Sequence, residues 1–126
     1  MKRGWMGVAL LLVLLISGVL SAWWLSHQMQ PMGEAMEEAV ESVMEGNWDT
    51  ARALTRRTKE KWQRNWHLTA VFADHAPMEE IDALFARLAV YEKERNRAAY
   101  GAICAELSLE LEALGDDHVP SWWNIL

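Results

Sequence analysis

"GWMGVALLLVLLISGVLSAWWLS", residues 4–26, carries no ionisable side chain across twenty-three positions. As a helix rising 1.5 Å per residue it covers about 34 Å, enough for a hydrocarbon core of about 30 Å. A secretory apolar region is shorter, about 7–15 residues, and ends in a small-x-small cleavage site. The candidates here are Val19-Leu20-Ser21 and Leu20-Ser21-Ala22, with two tryptophans directly behind them. Trp5 at one end and Trp23 with Trp24 at the other stand about 28 Å apart along such a helix. Indoles favour the headgroup level on both sides of a bilayer, so these three are expected at the membrane interfaces. The run therefore reads as a retained transmembrane signal anchor over residues 1–27, with residues 28–126 as the domain it holds. Lys2 and Arg3 precede the span, and the next basic side chain after it is Arg52. By the positive-inside rule, the N-terminus is expected in the cytoplasm and the domain outside the cell membrane.

The charge of the remainder narrows its partners. Of the 126 residues, twelve are Lys or Arg and eighteen Asp or Glu, a formal −6. Removing Lys2 and Arg3 leaves ten bases against eighteen acids, or −8. Such a balance lacks the basic footprint that nucleic-acid binding requires, and none is expected. The lone cysteine, Cys104, has no second thiol for an internal disulfide, and its Ala/Leu-rich helical setting suits a small buried residue.

Beyond the span every strong pattern is helical. Met29, Met32, Met36, Val40 and Val43 recur every three or four residues, with Glu34, Glu37, Glu38, Glu41 and Glu45 between them. Pro31 falls in the first turn of this helix or at a kink in one continuous with the span. "EGNWD" (45–49) ends it, Gly46 supplying a left-handed stop and Asn47 a cap for the next helix. That helix is expected from about Trp48 to Ala73, with Ala51, Leu54, Thr58, Trp62, Trp66 and Thr69 on one face. Pro77 stops it, and a third amphipathic helix follows from Met78 through Tyr91. Asn96 caps a last helix carrying Ile103, Leu107, Leu111 and Leu114, which Gly115 and Pro120 close. No segment alternates with period two. The expected fold is all-α: a transmembrane helix, then a small antiparallel four-helix domain built of two hairpins. "EGNWDTARAL" and "KERNRAAYGAI" pass between helices alike, which is hairpin geometry rather than a solenoid, since two copies fall short of three.

Function is less legible. Residues 34–49 hold six carboxylates, and residues 52–64 hold six bases with Glu60 opposing. Antiparallel neighbours of opposite charge fix pairing, though each exposed pair is worth only about 0–1 kcal/mol. A sharper reading makes the basic helix, with Arg56 and Arg57, a contact for lipid headgroups or another anionic surface. His67, Asp74 and His75, with Glu79, Glu80 and Asp82 nearby, are the one cluster with metal-ligand chemistry. Their spacing matches no tight signature, and Asp74 also suits a helix cap. Trp62 and Trp66, four apart, form an aromatic ridge that a domain of this size needs in its core. Trp122 and Trp123 either close a seam of the bundle or present an interface to another protein or the bilayer. Ser108 and Ser121 lack a nucleophile elbow and there is no Gly-rich phosphate cradle, so neither catalysis nor a cofactor is expected.

With the anchor, "GNWDTA" (46–51), "FADHAPMEEID" (72–82) and "NIL" (124–126) on the page, the chain resembles domain-of-unknown-function family 4363 of spore-forming bacteria. The likeness runs nearly end to end. It rests on Gly46, Trp48 and Ala51, on Trp62, on Phe72 with Asp74 and His75, on Ile81, and on Asn124-Ile125-Leu126. The doubled Trp122-Trp123 departs from the pattern. The resemblance implies a short protein with an N-terminal transmembrane helix and a helical remainder, but no activity. It also implies an accessory subunit, since similar proteins are often encoded beside a multi-pass membrane protein. The expected role is thus a membrane-anchored interaction module that docks on another membrane protein or on a second copy. The alternative is a ligand- or metal-binding domain centred on His67, Asp74 and His75.

Overall fold

The computed structural model describes residues 2–116, except for the side chain of Phe72. The described residues form five helices: α1 (Lys2–Met44), α2 (Trp48–Arg64), α3 (Trp66–Phe72), α4 (His75–Glu94) and α5 (Arg97–Asp116). The fold is all-α, as the periodicity predicts.

α1 is 43 residues long, about 64 Å of unbroken helix. Pro31 lies inside it, so the bond that would reach the carbonyl of His27 is missing while the helix continues. Its two halves live in different surroundings. Every residue from Lys2 to Leu20 is exposed, a rod apolar on all sides that nothing in the described chain covers. Burial begins at Ala22, and from there Leu25, Met29, Met32, Met36, Ala39 and Val43 enter the core. α1 alone among the described helices is long and apolar enough to cross a membrane; it is a candidate spanning or signal helix.

The bundle is two hairpins side by side. α2 returns along α1, and α5 returns along α4. The turn between α1 and α2 follows the sequence: Gly46 sits at φ 82°, and Asn47 Oδ1 accepts from Thr50 N at 3.2 Å. The turn before α5 is its counterpart, with Asn96 Oδ1 accepting from Ala99 N at 3.2 Å. There, however, the left-handed residue is Arg95 (φ 55°), which places its guanidinium 5.5 Å from the Trp48 ring.

The hairpins join along α1 and α5, the most extensive helix pair in the fold. The register is antiparallel and close because small residues line the seam. A Cβ on Gly33 would stand 2.8 Å from Glu112 Cγ and 3.3 Å from the Ser108 carbonyl. One on Gly115 would stand 3.1 Å from Met29 Cβ and 3.3 Å from Ser26 Cα. Ser108 Oγ closes the seam by donating to the Gly33 carbonyl at 2.9 Å.

The helix expected over residues 48–73 is two. Asn65 (φ −97°, ψ 5°) leaves the helical region, and α3 starts afresh behind it. A second difference concerns charge. The described ion pairs of α2 are Arg52 with Asp49 (4.0 Å) and Arg52 with Glu92 of α4 (2.8 Å), none reaching a glutamate of α1. The reason is orientation: Glu37 turns toward α5, where Ser108 Oγ lies 3.3 Å from its Oε1.

Candidate functional site

The open side of the bundle lies between α2 and α4. One stretch of groove, about 290 Å³, is lined by Arg52, Thr55, Arg56 and Lys59 of α2 and by Phe85, Leu88, Ala89 and Glu92 of α4. A neighbouring stretch of about 400 Å³ shares Lys59 and Phe85 and adds Trp62, Gln63, Asp82 and Ala86. Its chemistry is two-sided. Phe85 and Leu88 are almost wholly buried and form an apolar floor. Arg52, Arg56 and Lys59 make one cationic wall, opposed on α4 by Glu92. Arg52 Nε lies 2.8 Å from Glu92 Oε1, although its N–H finds no hydrogen-bond acceptor, so the contact is ionic. Arg56, singled out in the sequence, thus faces the groove. Arg57 does not: it lines the opposite side of α2 with Thr58 and Lys61, against Pro31, Met32 and Ala35 of α1.

Two polar clusters tie α2 and α3 to the neighbouring helices beside the groove. Asp82 accepts from both members of the tryptophan ridge: Trp62 Nε1 to Oδ1 at 2.7 Å and Trp66 Nε1 to Oδ2 at 3.1 Å. Trp62 is core, as expected, while Trp66 is half-buried at the groove's end. Toward the other end, the Tyr100 hydroxyl is 2.8 Å from Thr55 Oγ1 and stacks edge-on to Trp48, centroids 5.1 Å apart. Burial pushes the Tyr100 phenol up to about 12 despite the Thr55 bond, so it stays protonated. The sequence signal for Asp82 was present in the four-residue tryptophan spacing, since two indole N–H groups on one face need an acceptor.

His67 lies on α3, and Asp74 follows it beyond Ala73, whose backbone is extended (φ −116°, ψ 157°). Asp74 sits at the N-cap position of α4 without a side-chain capping bond. His67 and His75 flank the Trp66 ring at 5.5 and 6.3 Å, and both are exposed. Among the described residues no group of three His, Cys, Asp or Glu is placed to hold a metal ion. Cys104 is buried and its thiol is pushed up to about 12 by that burial, as expected for an inert core residue. At the far end of α1, Trp5 is exposed, and Trp23 is exposed and stacked on His27 at 5.0 Å, while Trp24 is packed against the core. Trp122 and Trp123 lie outside the described residues, as does Ser121.

A family model described as a domain of unknown function, DUF4363, matches residues 19–125. The chain belongs to the DUF4363 family. The matched region takes in the packed part of α1 and all of α2 to α5, so the groove is a feature of the DUF4363 domain. Most of the exposed rod lies ahead of it. No curated protein and no solved structure matches the chain.

Proposed function

We propose that this DUF4363 protein is a membrane-anchored accessory module, held by an uncleaved α1 with its N-terminus in the cytoplasm and its bundle outside the cell membrane. The observation that carries the proposal is the continuity of α1. The same helix supplies a bare apolar rod over residues 4–20 and one wall of the core from Ala22 onward. Cleavage near Ser21 or Ala22 would cut at the point where the rod becomes bundle. Lys2 and Arg3, with no further base until Arg52, support the orientation.

The module docks on a partner membrane protein through the α2/α4 groove. Its apolar floor and the Arg56 and Lys59 wall suit a segment with apolar anchors along one face and carboxylates along the other. No catalytic step and no cofactor are part of this reading, and no observation favours a metal at His67, Asp74 and His75.

The test has two arms. Protease should reach residues 28–116 in intact cells and not in sealed inverted vesicles; a mature chain beginning near Trp23 sinks the anchor. A photo-crosslinker at Ala89, in the groove, should yield an adduct with a membrane protein, whereas one at Arg57 should not. Recovery of a lone monomer from mild detergent, without adducts at either position, refutes the docking role.

A further inference from the structure

α3 is the charge-free helix of the bundle, and its place is set by register. α2 descends along α1 with Arg57, Thr58 and Lys61 beside Pro31, Met32 and Ala35. The chain beyond Lys61 therefore continues toward the rod, so α3, between the end of α2 and the start of α4, belongs to that end of the bundle, and it touches α1.

Its surface is unlike that of its neighbours. Thr69 and Ala73 are buried and Ala70 packs on the core, so one side of α3 belongs to the bundle. The other side shows Leu68 (50% exposed) and Val71 (72% exposed), three apart and hence adjacent on the helix. A short helix apolar on both sides asks for a covering on the second.

The length of the rod identifies that covering. The exposed segment, residues 4–20, is about 26 Å of helix, while the hydrocarbon core is about 30 Å thick. A span too short for its bilayer draws its flanking structure inward or thins the lipid. Here the flanking structure is the lower end of the bundle, and α3 is the part of it without charge.

We infer that the Leu68 and Val71 face of α3 is seated in the headgroup–acyl boundary of the bilayer that α1 crosses. This rests on the reading of α1 as a retained span. The bundle then stands on lipid at two places, the rod and α3, which holds its tilt and fixes the height of the groove above the membrane.

The experiment uses the full chain with a nitroxide label at Val71→Cys or, separately, Val90→Cys, reconstituted in phosphatidylcholine vesicles. Val90 is 52% exposed on α4, near the end of the bundle remote from the rod. Cys104, buried, serves as the internal unlabelled thiol. Power saturation should show the label at 71 more accessible to oxygen than to a water-soluble nickel chelate, with the order reversed at 90. Leu68→Cys repeats the reading independently. If label 71 proves as open to the chelate as label 90, or closed to both probes as in a protein–protein contact, the proposal is overturned. Carbonate extraction separates the two levels: a chain that stays with the membrane while label 71 reads as aqueous defeats only the seating of α3. A chain released by carbonate defeats the anchor as well.

Discussion

Asp82 shows how much one side chain can hold. Both of its oxygens are taken by indole N–H groups four residues apart, and one of those indoles, Trp62, is buried. Asp82→Ala removes both acceptors and leaves Trp62 Nε1 without a partner, a loss of about 1–3 kcal/mol. The full chain in mild detergent should show this as a lower thermal unfolding midpoint, with Asp82→Asn recovering part of it. Thr69 presents the opposite case. Its hydroxyl is buried and finds no partner, so Thr69→Val, which removes it at similar size, should raise the midpoint by an amount equivalent to about 1 kcal/mol. The sequence reading found neither role. Asp82 stood among histidines and carboxylates and took the meaning of its neighbours, although the Trp62–Trp66 spacing pointed to an acceptor. Arg95 was likewise hidden, because a left-handed arginine announces itself only through the turn it closes.

At the level of elements, the α1–α5 seam depends on what is missing from it. Gly115 lets the Met29 side chain and the Ser26 backbone approach, and a branched side chain there has no room to enter. Gly115→Val should cost about 1–3 kcal/mol through overpacking, read as an earlier unfolding transition by circular dichroism. A control at Ala105, exposed on the same helix, should barely move it. Much at this scale was legible. Gly46 with Asn47 and, later, Asn96 marked both hairpin turns, and the three- and four-residue spacing of methionines and leucines marked the buried faces. The break at Asn65 was not, since one asparagine among good helix formers carries little propensity penalty and the split is settled by packing of Trp66. The neighbourhood of α1 and α2 was legible, whereas the α1–α5 seam was not, because the complementarity of Gly33, Ser108 and Gly115 appears only once residues far apart in the chain meet.

At the scale of the whole molecule, the seam also carries a pH dependence. Burial, then the nearby carboxylates of Glu37, Asp116 and Glu34 and a hydrogen bond with Glu37, raise the Glu112 carboxyl above the usual carboxylate range. The folded protein therefore holds that proton to higher pH than the unfolded chain does. Stability contributed at this position falls as pH rises through the window between the two values, and the charged form is disfavoured at neutrality. Glu112→Gln should be more stable than the parent at neutral pH, with the difference shrinking on acidification toward the ordinary carboxylate range. If the difference keeps its size across that range, the carboxyl is not the cause. The long apolar helix at the N-terminus, a candidate spanning or signal helix, was the most legible feature of all, because twenty-three residues without an ionisable side chain stand out in any reading.

The unbroken course of α1 from rod to bundle has a mechanical corollary. A helix advances 100° of azimuth per residue, so any one side of the rod and the direction in which the groove opens are phase-locked like two cams on one shaft. Inserting a single alanine after Leu20 should swing the groove by about 100° about the shaft and abolish crosslinking to a partner anchored in the same bilayer. Seven inserted residues bring the azimuth back to within about 20°, so any adduct they restore would show that angular timing, rather than height, governs the encounter.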